Sequence, residues 1–591
     1  MVAFFFLRGQ ANGAPHGRTP LTNLGLRDLA SDCSVVVVHL FPMVLLKRVR
    51  RRTVWIAAFL LLLAFGFRLF VALRLPNDTP DDGRVYALIA RNVLEQHVYS
   101  HLEQPPFVPS LIRLPGYPFL LAAVYAVTSH GNNTAVRVLQ AVIDTGTCAL
   151  IALVAFEWTE DKKRRWRSAI VALALAAVCP FTTIYVSTIL TEVPTNFLAV
   201  LLCLLATLAF KSTKHSRLIW FLAGLTAGIA VYFRPDSGLF AAAVGFTILL
   251  SAFLGPHREK FIRRLYKPVV SAAIFSFAFC LVLLPWTIRN HRVFGVFQPL
   301  SPAHGEMPGE FVAHGYLMWL RTWLDDDRYI GPVLWRLDTS PISIDAFPKR
   351  AFDSVEERAR VAALMEKYNH PDGEPGAGAG AEVPQGQTSP SSSPSPNPSP
   401  SASPDETAGQ QSDESDEEED EEPAEETSDE GTQTDVEMTP EIDAAFAQLA
   451  HERIARAPLR YYFVLPVKRA KTLWFDTHSQ YWPFEGELLP LEDLDYDIHQ
   501  HYWLPFFAGL TGAYTLLGVL GALLLWLTGG ENAKRWVLLA ALIIFLRLGF
   551  FSTLENPEPR YVVEIFPFLS ILGGVGVGLL RRRKLLDPAL D

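Results

Sequence analysis

The sequence predicts an all-α membrane protein: a polytopic bundle of about ten transmembrane helices with amphipathic juxtamembrane helices and a small, mostly helical exterior region. Three observations lead there. Half of the 591 residues are hydrophobic, apolar runs of span length recur along the chain, and basic clusters separate those runs in a regular alternation. A string of soluble domains is excluded, because lipid is the only solvent in which so many long apolar runs are at rest.

In order, the spans are expected at about 55–75, 134–158, 168–187, 192–210, 218–233, 237–254, 269–285, 503–527, 536–554 and 561–580. Basic clusters lie at 47–52, 162–167, 211–217, 257–267, 534–535 and 581–584. Alternating the ten spans puts every cluster on one face, so both termini are expected in the cytoplasm and Asp81 outside. One span missed or added would scramble all later clusters. Trp55, Trp158, Trp503 and Trp536 at span ends fit an aromatic belt.

Outside the spans, composition changes sharply. The formal charge of the chain is −9, yet residues 371–440 contain 20 acidic residues and no Lys or Arg, so the remainder carries +11. That balance suits basic loops on anionic membranes, and no nucleic acid is expected as a partner. The 371–440 segment passes from a Gly/Ala run through Ser-Pro repeats to a Glu/Asp block, a composition that cannot bury enough surface to offset chain entropy and reads as a disordered linker. Its flanks, 351–368 and 441–457, carry helical apolar spacing. Residues 459–475 read as a basic, aromatic interfacial helix with Arg460, Lys468, Arg469 and Lys471. Residues 1–42 form a leading tail, read either as a disordered cytoplasmic extension or as sequence upstream of a natural start at Met43. Four of the five cysteines lie in spans and Cys33 in the tail, which leaves no exterior disulfide framework and no clustered Cys/His spacing for zinc.

The stretch 81–118, after the first span, carries the main candidates for chemistry. Asp81 and Asp82 open an expected amphipathic helix with Tyr86 four residues after Asp82, placing a carboxylate near the positive end of a helix at the membrane surface. The plain alternative is a helix cap. Arg113 precedes Leu114-Pro115-Gly116-Tyr117-Pro118, a rigid turn that would hold a guanidinium at headgroup depth, where its fork matches a lipid phosphate; ordinary snorkelling is the alternative. Glu192 opens the fourth span, where a carboxylate needs solvent or a partner. Asp144, inside the second span, either faces a polar cavity or pairs with a buried Arg. Arg234, Arg289 and Arg560-Tyr561 add basic groups to the face opposite the basic clusters, which asks for an anionic partner there.

Other signals carry less. Gly573-Gly574-Val575-Gly576-Val577-Gly578 sits inside the last span and reads as close helix packing, since a nucleotide loop would need a preceding strand. His478 beside Asp476 reads as structural.

With those residues in hand, the chain resembles the GT-C superfamily of integral-membrane glycosyltransferases, and within it glycosyltransferase family 39 (RgtA/B/C/D-like), related to the protein O-mannosyltransferases and the lipid A aminoarabinose transferase. The carrying features are Asp82-Gly83-Arg84-Val85-Tyr86 through Asn92, the turn from Arg113 to Pro118, Thr191-Glu192, and Pro559-Arg560-Tyr561. The likeness covers about 43–370 and 441–584. It implies transfer of a sugar, with inversion, from a polyprenyl-phosphate-linked donor to a glycan, lipid or protein acceptor at the exterior face, the periplasmic side of a bacterial inner membrane. It implies Asp82 as catalytic base with Asp81 second, and Arg113, Arg560 and Tyr561 as donor-phosphate contacts, with Tyr86, Glu192, Arg234 and Arg289 as further site candidates. A divalent metal is left open, and membrane lipid is the surrounding partner.

The expected division is a tail at 1–42, a transmembrane bundle at 43–286 with its first exterior loop at 76–133, exterior parts at 287–370 and 441–502 around the 371–440 linker, and the last three spans with a short tail at 503–591. Two other functions fit many spans and a large exterior loop: a polysaccharide polymerase or ligase, and a transporter or flippase of a lipid-linked sugar. The first does not need the Asp82 and Tyr86 spacing. The second usually shows paired halves with broken helices, and no convincing repeat is present.

Overall fold

The computed structural model describes residues 51–75, 81–254, 261–371, 436–475, 498–530 and 532–580. The tail at 1–42, nearly all of the linker, the Asp476/His478 pair, the Asp81 side chain and the cluster at 581–584 lie outside the described residues. The described residues contain helices and no strand, and the chain separates into two compact units.

The larger unit is the membrane bundle. Its helices are α1 (Arg51–Arg74), α2 (Asp81–Glu95), α3 (Gly116–Val127), α4 (Asn133–Trp158), α5 (Arg165–Ala177), α6 (Glu192–Lys211), α7 (Ser216–Phe233), α8 (Gly238–Leu254), α9 (Phe261–Phe294), α14 (Ile498–Thr528), α15 (Ala533–Ser552) and α16 (Phe566–Leu579). Nine described helical stretches are long and apolar enough to cross a membrane, and a bent pair makes a tenth if counted as one span. The chain is an integral, multi-pass membrane protein.

That bent pair, Arg165–Ala177 with Pro180–Val186, is the third expected span, broken by 56°. Pro180 cannot continue the ladder of α5, so carbonyls at the end of α5 lose their partners. Inside a membrane those groups must be satisfied by protein. Arg68, from the middle of α1, donates to the carbonyls of Ala176 and Ala177, each at 3.1 Å. Its Nε lies 2.6 Å from Asp144 Oδ2 on α4. Of the two readings open for Asp144, the buried arginine is present, and the pair also lines a small cavity with Thr147, Cys148, Thr182 and Ser570.

The seventh span also differs. Instead of ending near Pro285, α9 runs to Phe294 with Pro268 and Pro285 inside it, so Arg289 is a helical residue.

The last span sits deepest. Its glycines allow backbones to touch: a Cβ on Gly576 would lie 2.5 Å from Gly521 Cα on α14, and one on Gly574 would lie 2.4 Å from Ala172 Cβ on α5. Close helix packing is therefore the role of the glycine run. Toward one end of the bundle, Trp158 and Trp536 stack with centroids 6.0 Å apart, and the Trp158 indole donates to Thr207 Oγ1 at 3.0 Å.

The smaller unit comprises residues 309–473 and 549–558. Here α10 (His314–Leu320), α11 (Val355–Asn369) and α12 (Pro440–Arg456) enclose an aromatic core of Tyr316, Trp319, Trp323, Phe347 and Phe446. Gly315 lets α10 meet α12 directly, since a Cβ there would lie 2.0 Å from Asp443 O. The expected linker ends sooner than residue 440. Met438 is buried in this core, its N–H donates to Asp338 Oδ1 at 2.8 Å, and Thr439 caps α12.

The basic aromatic stretch forms a turn at Arg460–Val464 and α13 (Leu465–Phe475). Leu459, Tyr462, Phe463 and Val467 are exposed, as an interfacial face requires. Arg469 departs from that pattern. It is buried, donating through Nε to Leu324 O at 2.7 Å and through Nη2 to Arg321 O at 2.5 Å. Burial pulls its guanidinium down to about 10.

Candidate active site

The site grows from the packing of α2 on α3. Ile89 and Ala90 are buried, while Arg84 and Arg91 on the same helix are exposed. Tyr86 meets Tyr117 edge-on at 5.2 Å. The Tyr117 hydroxyl donates to Gln140 Oε1 at 2.8 Å, tying the pair to α4.

Between α2 and α3 runs an irregular strap that carries Arg113, and side chains replace the backbone bonds it lacks. Asn92 Nδ2 donates to the carbonyls of Ser100 and Leu102 at 2.9 and 2.8 Å. The Tyr99 hydroxyl donates to Arg113 O at 3.1 Å. Arg289 Nη1 donates to Ser110 O at 2.7 Å, its guanidinium set against the rings of Trp286, Phe294 and Tyr99. The strap ends at Gly116, where a Cβ would stand 2.6 Å from Tyr232 O, so only glycine permits this approach to α7.

Asp82 lies in the first turn of α2, and its two oxygens go to two guanidinium groups. Arg113 Nη2 donates to Oδ1 at 2.7 Å, and Arg560 Nη2 donates to Oδ2 at 3.3 Å. The side chains of Asp82, Arg113 and Arg560 are 32%, 27% and 15% exposed, so a ligand can reach them. Burial, the largest influence, raises the Asp82 carboxyl, but Arg560 and Arg113 together outweigh it and hold the group below its ordinary range. Burial pushes the Tyr86 phenol up to about 12.

Beside this trio lies a second ionic cluster. Arg234 Nη1 is 2.7 Å from Glu192 Oε1 and 3.6 Å from Glu564 Oε1, and its Nε is 3.2 Å from Asp236 Oδ1. Arg547 Nη2 reaches Asp236 Oδ2 at 2.7 Å and Glu564 Oε2 at 2.8 Å. The ring of Tyr561 joins the clusters, 5.3 Å from the Arg560 guanidinium and 5.8 Å from that of Arg234. Arg547 Nε donates to Tyr561 O at 2.7 Å, which fixes the backbone beside Arg560.

Asp82, Arg113 and Arg560 thus meet in one place, with Tyr86 and Tyr561 against the arginines. Glu192 and Arg234 pair with each other in the adjoining cluster, and Arg289 secures the strap. Asp236, Arg547 and Glu564 were not singled out from sequence, although the signal was present: Arg547 and Glu564 are charged residues inside apolar spans, where an ionisable group is costly without a partner. Arg68 carried the same signal. Among the described residues, no group of three or more His, Cys, Asp or Glu side chains is gathered so as to hold a metal ion.

Residues 108–286 match the family model described as dolichyl-phosphate-mannose-protein mannosyltransferase. The matched segment includes Arg113, Glu192 and Arg234, while Asp82, Arg289 and Arg560 lie outside it. No curated protein and no solved structure matches the chain. The matched segment is thus similar to that family of membrane glycosyltransferases, and it lies within a polytopic all-helical fold.

Proposed function

We propose that this chain transfers a sugar, with inversion, from a polyprenyl-phosphate-linked donor to an acceptor hydroxyl or amine at the exterior face, the periplasmic side of a bacterial inner membrane, with both termini cytoplasmic. The observation that carries the reading is the placement of one carboxylate between two arginines at a solvent-reached site, next to Tyr86 and Tyr561. Asp82 takes the acceptor proton. Arg113 and Arg560 hold the phosphate and stabilise the charge that develops on it as the bond to the sugar breaks. Arg289 acts one step removed by fixing the strap that carries Arg113. Glu192, Asp236 and Glu564 pair with Arg234 and Arg547 behind Tyr561.

The test is sugar transfer by the full chain reconstituted in lipid. Asp82→Asn is expected to remove transfer while leaving the protein folded, and Arg113→Ala to weaken the donor. Full transfer by Asp82→Asn would eliminate it as the base. A mass-spectrometric comparison of envelope glycans, lipids and glycoproteins with and without the protein identifies sugar and acceptor together.

A further inference from the structure

We infer that Asp82 is an internal stand-in for the donor phosphate, holding Arg113 and Arg560 and giving them up when a phosphate ester enters. The inference rests on the functional reading above and adds an order of events: the base is released only once the donor is in place.

Geometry supplies the first argument. The Nη2 atoms of Arg113 and Arg560 both point at Asp82, one on each oxygen. Carboxylate and phosphate present similar oxygen pairs to a guanidinium fork. The same nitrogens cannot serve both at full strength. A phosphate bound there turns the carboxylate away, toward the side on which an acceptor must approach for inversion.

Charge supplies the second. Among the described residues, the joined clusters hold four guanidinium groups (Arg113, Arg234, Arg547 and Arg560) and four carboxylates (Asp82, Glu192, Asp236 and Glu564). These described charges balance one another, and a phosphodiester adds one negative charge beside them. That added charge raises the proton affinity of the carboxylate beside it, which stays ionised until the acceptor's proton arrives. The side chains of Glu192, Asp236 and Glu564 are 2%, 11% and 0% exposed, against 32% for Asp82, so Asp82 is the carboxylate that can reach an acceptor.

The groups that act on Asp82 are Arg560 and Arg113, with the Tyr86 phenol also close. Without a donor the two cations keep its proton affinity low. Losing them to an anion raises that affinity at the moment a base is needed. The step balances: the acceptor proton passes to Asp82, the acceptor oxygen or nitrogen bonds to the sugar, and the sugar–oxygen bond breaks with its electron pair on the phosphate. The singly charged diester thereby becomes a doubly charged monoester.

The experiment measures binding of a short polyprenyl methyl phosphate, a diester with one fixed charge near neutral pH, to the full chain in lipid nanodiscs. Calorimetry reads the affinity. The expected result is about tenfold tighter binding by Asp82→Asn than by the unaltered protein, a coupling of ordinary size. Arg113→Ala should bind more weakly. If Arg113→Ala weakens binding but Asp82→Asn binds no tighter, the stand-in role is overturned and the functional reading stands. If Arg113→Ala and Asp82→Asn both bind as the unaltered protein does, the phosphate site itself is wrong and both ideas fall.

Discussion

Arg560 lies 478 residues from Asp82 in the chain, yet its Nη2 stands 3.3 Å from Asp82 Oδ2. The two ends of the membrane unit are thus joined at the site, and Arg113 completes the clamp from the strap. Each arginine lowers the proton affinity of the same carboxylate.

Replacing Arg560 tests that joint control. Arg560→Ala should raise the donor KM by about tenfold, the loss expected for one charge-assisted contact of roughly 1.5–3 kcal/mol. With one cation gone, the Asp82 carboxyl rises, so the acid limb of the transfer–pH profile should move to higher pH. Arg560→Lys should recover part of the pH shift but less of the KM, because an ammonium keeps the charge and loses the fork. An unmoved acid limb in Arg560→Ala would separate Arg560 from the base.

The Arg68–Asp144 pair tests the broken span. Arg68→Leu leaves a buried carboxylate unpaired and strips donors from the Ala176 and Ala177 carbonyls, so a loss of about 3–5 kcal/mol is expected. Asp144→Leu in the same chain should recover only part of it, since the Arg68 hydrogen bonds to those carbonyls stay lost. Thermal unfolding of the single and double variants in detergent reads the coupling, and additive losses would contradict it.

A deletion locates the edge of the smaller unit's core. Removing 372–435 should leave thermal unfolding unchanged. Extending the deletion through residue 440 removes buried Met438 and the Thr439 cap, with an expected loss of about 2–5 kcal/mol from the methionine alone. Equal stability of the two deletions would place Met438 outside the folding unit.

Asp327 gives the smaller unit a pH dependence. Burial, then Asp326 and Glu558, push its carboxyl up to about 6. The folded chain therefore holds a proton that the unfolded chain has released, between the ordinary aspartate range and about pH 6. Stability contributed by this group falls as pH rises through that window. Hydrogen exchange around Asp325–Ile330 should quicken from pH 4.5 to 6.5 beyond the intrinsic rate, and Asp327→Asn should remove the excess.

Some features were legible without coordinates because they depend on local composition. The apolar runs marked the spans, and the glycine run in the last span marked close packing. The Arg113-Leu114-Pro115-Gly116 turn marked a rigid strap end. Partner choice was not legible: Asp144 named no arginine, Arg469 was grouped with the basic residues of an interfacial helix, and 168–187 was read as one span.

By itself, the sequence determined that the chain is a polytopic helical membrane protein and that Asp82, Arg113 and Arg560 are candidates for one chemistry. Burial preference and charge cost act residue by residue, so composition and spacing suffice for that. Only the tertiary structure decided which charges meet. It put both arginines on one carboxylate, built the Arg234 and Arg547 cluster behind them, and turned Arg68 toward a broken helix end. An ion pair depends on the distance between side chains from remote segments, and that distance exists only after the helices have packed.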